Sequence, residues 1–388
     1  MSPFERRGHD NCTEYVLGRW NIPSKWFLLI EVPLATGCKT AQSVEVGNQN
    51  WELFMLNVGL LGAGRIAIVH ARAIAAHPGS RLVAVADVAT EAAQALAQGY
   101  GAKAQTSAEI LADPTIDAVL IATSTDTHSD FIEAATKAGK AVLCEKPVDL
   151  SLERARTCQK AVEAHGKPVM IGFNRRFDPN FAALKAAVDG GEIGKTEMLT
   201  VTSFDPAPPP VSYVMVSGGI FRDMMIHDFD MAQFIMGGLP KTIMATGSCL
   251  VDPEIGAAGD FDTATVTMTY EDGRIAVINN SRRAVYGYDQ RVEVLGADGL
   301  LQAGNMLENT VVKSTTAGVV SAKPTYFFLE RYMPAYEAEW SAFVDALSSG
   351  EEMPATLADG IASLAMAEAA NLSVAQSRPI NLAEVLDT

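Results

Sequence analysis

Gly62-Ala63-Gly64-Arg65-Ile66-Ala67 follows the apolar run Leu56 to Leu61 without a gap and opens a helical pattern at Arg65. That order leaves the chain little choice locally. In G-x-G-x-x-A between a strand and a helix, the first glycine makes the tight turn and the second lets the backbone approach a pyrophosphate. The small third residue allows close helix-strand packing. Free amides at the helix N-terminus then face the anion, so Gly62, Ala63, Gly64, Arg65 and Ile66 are the expected contacts. Asp87 ends the next β-rich run, where a carboxylate accepts hydrogen bonds from ribose hydroxyls and repels a 2'-phosphate. The expected cofactor is NAD rather than NADP. The competing reading is a glycine turn without a nucleotide and an Asp87 that only caps the following helix.

From Met55 onward, short β-branched runs alternate with helical patterns as parallel β-α-β units do. Strands are expected at Leu56 to Leu61, Arg81 to Ala86, Ala118 to Ala122, Ala141 to Cys144 and Pro168 to Ile171, with helices from about Arg65, Thr90, Ser129 and Leu152. The fold class is α/β, a Rossmann doubly wound parallel sheet that presents its ligand at the carboxyl ends of the strands. Past Phe177 the pattern changes to period-two strands, Thr263 to Tyr270, Arg274 to Asn280 and Gln290 to Leu295. These predict an α+β domain with a large, mainly antiparallel open sheet, closed by a helix over Leu357 to Gln376. The expected domains are therefore 55–176 for the dinucleotide and 177–388 for substrate and oligomerisation. Residues 1–54 hold Trp20, Trp26 and Trp51 with no sustained period. They are expected to be an appended, non-native extension, with a secretory leader around Phe27 to Ile30 as the alternative.

The net charge of -16 argues against nucleic acid, whose binders display basic patches. No run approaches the ~18 uninterrupted apolar residues that a membrane span requires. The five cysteines form no C-x-x-C pair, which favours free thiols in the cytoplasm.

Glu145-Lys146-Pro147 falls at the end of the fourth strand, facing the expected ligand, although a lysine there is often only a solvated charge. In Asp223-Met224-Met225-Ile226-His227-Asp228-Phe229-Asp230, helical spacing puts Asp223, His227 and Asp230 on one face and turns Met225, Ile226 and Phe229 to the core. By spacing alone, His227 is as well explained as a structural histidine held by Asp223. A metal site from two Asp and one His is a further alternative, disfavoured by the nearby lysine; no metal is expected.

Together with Ala122-Thr123-Ser124-Thr125-Asp126-Thr127-His128 and Gly172-Phe173-Asn174-Arg175-Arg176-Phe177, these motifs occur in one order from Met55 to the C-terminus. The sequence resembles the glucose-fructose oxidoreductase / inositol dehydrogenase / MocA family over nearly that whole length. Gly218 to Asp230 and Tyr286-Gly287-Tyr288-Asp289 are most similar to its bacterial inositol dehydrogenases. The resemblance implies NAD-dependent oxidation of a ring hydroxyl of a cyclic polyol, with myo-inositol going to 2-keto-myo-inositol in inositol catabolism. Another inositol isomer or a pyranose sugar is the rival, and a non-enzymatic nucleotide sensor is a third reading. The resemblance makes Lys146, before a cis proline, the residue that binds the reacting hydroxyl and the nicotinamide end. His227 becomes the proton acceptor and Asp223 its orienting partner. Arg175, Asp205, Asp230 and Tyr288 match places lining the sugar cleft; Thr123, Thr125, His128 and Glu145 border the cofactor. A homotetramer or dimer is also implied.

Ser124 departs from a common proline, and Ser203-Phe204 from a more polar pair before Asp205-Pro206. The residue types suit the chemistry. Oxidising a secondary alcohol needs a base near neutral pH for the proton and a cation for the developing alkoxide. A hydroxyl-rich ligand also needs a cleft dense in hydrogen-bonding partners.

Overall fold

The computed structural model describes residues 55–387, so the expected extension, with Cys12 and Cys38, lies outside the described residues. The first part alternates as the sequence predicts: β1 (Leu56–Leu61), α1 (Arg65–Ala76), β2 (Ser80–Ala86), α2 (Thr90–Tyr100), β3 (Lys103–Ala104), α3 (Ser107–Ala112), β4 (Ala118–Ile121), α4 (His128–Lys137), β5 (Ala141–Glu145), α5 (Leu152–His165) and β6 (Val169–Gly172). The brief β3 and α3 were not expected. Two exposed strand residues carry no apolar signal, and α3 announces itself only through the Thr106/Glu109 capping box. The six parallel strands run β3-β2-β1-β4-β5-β6. The order reverses between β1 and β4, and the crevice at that switch point is where such sheets hold a ligand.

The chain continues with α6 (Pro179–Asp189), β7 (Thr196–Phe204), α7 (Val211–Ser217), α8 (Gly219–Asp223), α9 (Ile226–Met236), β8 (Thr242–Ser248), α10 (Pro253–Ala257), β9 (Thr263–Thr269), β10 (Ile275–Ser281), β11 (Asp289–Gly296) and β12 (Gly299–Ala303). A hairpin follows, β13 (Val312–Thr315) and β14 (Gly318–Ser321), then α11 (Phe328–Ser349), α12 (Leu357–Gln376), β15 (Ile380–Asn381) and α13 (Ala383–Leu386). The second sheet has seven strands in the order β12-β11-β7-β10-β9-β8-β15. It is antiparallel except for β7 beside β10, so it is mixed. Alternation sorts each strand: along β10, Ala276, Ile278 and Asn280 turn inward.

Two long helices tie the sheets together. α11 gives Trp340 and Phe343 to the first core and Tyr332 and Tyr336 to the second, and α12 likewise splits Leu357 and Ile361 from Ala365 to Ala370. Buried Trp340 also donates to the Ser80 hydroxyl at 2.8 Å, anchoring α11 at the start of β2.

Candidate active site

The β1-α1 turn is shaped around open backbone. Gly62 has φ +108°, and a Cβ there would meet the Ala122 carbonyl oxygen at 2.3 Å, so only glycine fits against the end of β4. No atom lies within 4 Å of a Cβ built on Gly64, and α1 has no side-chain cap. Its first amides are left for an anion. Asp87 accepts from the Ala63 amide at 2.6 Å and from the Ala89 amide at 2.7 Å. It therefore braces the glycine turn and the residue before α2, a helix with no side-chain cap of its own. Open backbone, uncapped amides and an adjoining carboxylate fit a dinucleotide.

The turn after β4 is held from inside. Thr123 and Thr127 hydroxyls meet at 2.7 Å, Thr125 opens a short 3-10 turn, and the Ser124 carbonyl takes the Thr127 hydroxyl at 2.8 Å. The departure from proline thus leaves the turn closed. The buried His128 ring lies 2.7 Å from the Pro147 carbonyl and 3.2 Å from that of Thr123, and burial pushes its pKa down. It joins this turn to the Lys146-Pro147 bond, which is cis. Glu145 is buried, with Oε1 2.7 Å from His70 Nε2 on α1.

Lys146 reaches across from β5 to the second sheet's helices. Its ammonium donates to the Asp223 carbonyl at 2.9 Å and lies 3.5 Å from the carboxylate. Asp223 Oδ1 also accepts from the Tyr213 hydroxyl at 2.9 Å, while Oδ2 faces Arg282 at 3.8 Å. Here the expected geometry needs correction. The helix is not continuous: α8 stops at Asp223, the chain turns through Met224 and Met225, and α9 starts at Ile226. Asp223 is spent on Lys146 and Tyr213, and buried His227 Nδ1 has no hydrogen-bond partner. His227 instead stands edge-on to Phe173, 6.5 Å between centroids. Burial, then the cations Lys146 and Arg175, hold its pKa well below the usual histidine value. The neutral form of the ring is favoured, and its Nδ1 is open to a partner.

A charged network lies beneath. Arg175 is buried and donates to Asp228 at 2.5 Å and Ser203 at 3.0 Å, and Asn280 donates to Asp228 at 2.8 Å. Arg175 therefore supports the site from below, its guanidinium 5.8 Å from the Tyr332 ring. Tyr288 packs edge-on to the same Tyr332 ring. Asp205 is partly buried; desolvation raises its pKa to about 6 against the opposing pull of Arg282. Asp230 departs from the expected cleft position. It is 1% exposed, and its carboxylate is taken by Arg176 at 2.6 to 3.1 Å and by Gln233. It is bound up in holding α9 to Arg176.

Sequence reasoning missed Tyr213, Asp228 and Arg282 as site residues. Asn280 and Arg282 carried a signal, since the inward alternation of β10 runs from Ala276 and Ile278 straight into polar residues. Among the described residues no cluster of three or more His, Cys, Asp or Glu has metal-holding geometry, and no helix is long and apolar enough to cross a membrane. Cys144, Cys158 and Cys249 are free thiols.

A dinucleotide turn at the switch point, with a lysine and a neutral histidine beside it, defines an NAD-dependent oxidoreductase. Residues 56–173 match the oxidoreductase family with an NAD-binding Rossmann fold, and residues 181–302 match the GFO/IDH/MocA C-terminal domain. The chain belongs to the GFO/IDH/MocA family. It is 49% identical over 325 residues to inositol 2-dehydrogenase of Rhizobium meliloti, covering 84% of this chain and 98% of that one. The myo-inositol dehydrogenase structure from Corynebacterium glutamicum superposes with a TM-score of 0.82 at 43% identity, covering 84% and 99% of the two chains. That of Lactobacillus casei, in complex with NAD(H) and myo-inositol, gives 0.76 at 25% identity, covering 84% and 96%.

Proposed function

We propose that this protein oxidises the C2 hydroxyl of myo-inositol to 2-keto-myo-inositol with NAD, as a step of inositol catabolism. The observation that carries the reading is the meeting of Lys146 with Asp223 beside a neutral His227, over a network of Asp205, Arg175 and Asp228. The similarity to inositol dehydrogenases supports the substrate.

Gly62 to Ile66 and Asp87 would hold NAD, with Thr123, Thr125, His128 and Glu145 bordering it. When bound, NAD supplies the acceptor for the hydride. The chain's own residues handle the proton. Lys146 Nζ stabilises negative charge growing on the reacting oxygen. His227 takes the hydroxyl proton, its low basicity keeping it unprotonated before the step. Asp223 holds Lys146, and Asp205 with Tyr288 accepts and donates hydrogen bonds to the remaining ring hydroxyls.

The same reading divides the chain at 55–176 and 177–388, sets residues 1–54 apart as an appended extension, and puts the enzyme in the cytoplasm. The outward Met198, Met244, Leu295 and Leu300 of the second sheet support a homotetramer or dimer built on that face. A panel of inositol isomers and pyranoses, each with NAD and NADP and followed by reduced-nicotinamide absorbance, tests the reading. Highest kcat/KM for myo-inositol with NAD is expected. Faster oxidation of scyllo-inositol or a pyranose would replace the substrate.

A further inference from the structure

Arg282 follows the last residue of β10 and is 2% exposed, yet its Nε and Nη2 have no hydrogen-bond partner. Buried guanidinium groups are normally saturated, since leaving one unpaired is costly. What surrounds this one is charge. Nη2 stands 3.8 Å from Asp223 Oδ2 and 3.7 Å from Asp260 Oδ2. The other oxygen of each acid is engaged elsewhere: Asp223 Oδ1 with Lys146 and Tyr213, Asp260 Oδ1 with the Ile220 amide at 2.9 Å in α8. Gly219, at φ +82°, makes that seat possible, because a Cβ there would meet Asp260 at 2.7 Å. The Arg282 backbone is clamped too. Asp205 donates its amide to Ser281 and accepts from Ala284, bracketing the arginine, whose own amide reaches the Asp262 carbonyl.

We infer that Arg282 is a positioning residue of the polyol site, holding Asp223 in line with Lys146 and supplying the positive charge that balances Asp223 and Asp205. Buried at 2% exposure, it acts through the carboxylates around it. The groups facing Asp205 are Arg282 from the loop after β10, Asp223 from α8, Arg175 from the turn after β6, Asp228 from α9 and Tyr288 before β11. Arg282 is the stronger of the two cations among them, so its loss leaves Arg175 alone against the two neighbouring acids. Asp205 then protonates at a higher pH.

The inference rests on the polyol reading, and two readouts keep them separable. In the first, kcat/KM against pH is measured for the parent, Arg282→Met and Arg282→Lys, with whichever inositol the parent oxidises fastest. Arg282→Met should move the acid limb up by about one pH unit, with KM for NAD within about twofold because the glycine turn is untouched. Arg282→Lys keeps the charge and should keep the limb, while losing kcat because one ammonium does not span both acids. In the second, thermal stability is followed against pH without substrate. A carboxyl whose folded pKa is raised loses its stabilising contribution as pH rises through that pKa. The Tm deficit of Arg282→Met should therefore widen above pH 6, where the parent's Asp205 has already ionised. Should the Met variant not accumulate, Arg282→Gln, of similar reach and no charge, takes its place in both. A folded neutral variant with an unmoved limb and a pH-independent Tm deficit would overturn the inference. So would a Lys variant displaced as far as the neutral one.

Discussion

Lys146 and Asp223 meet between the two sheets, the ammonium of one donating to the backbone carbonyl of the other at 2.9 Å with the carboxylate 3.5 Å away. Because β5 and α8 belong to different layers, the contact fixes the lysine only when both are in register. Lys146→Ala should lower kcat at least as far as loss of the proton acceptor, on the order of 10²-fold or more, while leaving the circular dichroism unchanged. Steady-state kinetics with myo-inositol checks this. A folded variant within threefold of the parent kcat would return Lys146 to a solvated strand-end charge.

His227 should act on the chemical step. General base catalysis contributes roughly 10²–10⁴-fold, equivalent to a barrier increase of about 3 to 5 kcal/mol for His227→Ala. The loss is expected in kcat, with KM little changed, since the proton moves in the transition state. A loss confined to KM would assign His227 to substrate binding alone.

Asp205 should set the acid limb of activity. Its pKa is lifted to about 6 by burial, so below that pH it protonates and no longer accepts from two hydroxyls. kcat/KM should fall as pH drops through 6. Burial and the cations Lys146 and Arg175 move the pKa of His227 down, away from this limb. In Asp205→Asn the limb near pH 6 should vanish, with kcat/KM reduced at all pH values. A limb that persists there belongs to another group.

Asp230 is predicted to matter for stability rather than for substrate. Asp230→Ala leaves Arg176 buried without its main partner, which costs about 3–5 kcal/mol, while KM for myo-inositol stays within about twofold. Chemical denaturation and steady-state kinetics separate the two. A raised KM with unchanged stability would put Asp230 back in the cleft.

What could be read from the sequence was what local rules decide. The glycine turn at Gly62, the strand at Leu56 and the helix from Leu357 to Gln376 follow from short-range spacing, and the structure has them there. Asp223 and His227 were found, but not their relation, because the break at Met224 and Met225 has neither glycine nor proline to mark it. Asp230 was placed in the cleft by the family resemblance, and spacing put it on one face with Asp223 and His227, yet its fate is decided by Arg176, 54 positions away. Tyr213 was hidden for a similar reason: its partner Asp223 comes to it only through the left-handed turn at Gly218. Asp223 could be picked out from its motif and Asp205 from the resemblance, whereas Asp228 and the cation that each acid meets were set by tertiary packing.

The most direct test of the central claim follows the hydrogen itself. With myo-inositol deuterated at C2 and NAD in excess, the account predicts one deuterium in the reduced nicotinamide per 2-keto-myo-inositol formed, and slowed turnover when hydride transfer limits the rate. Unlabelled reduced cofactor with deuterium retained in the product, or no reduction of NAD, would contradict it.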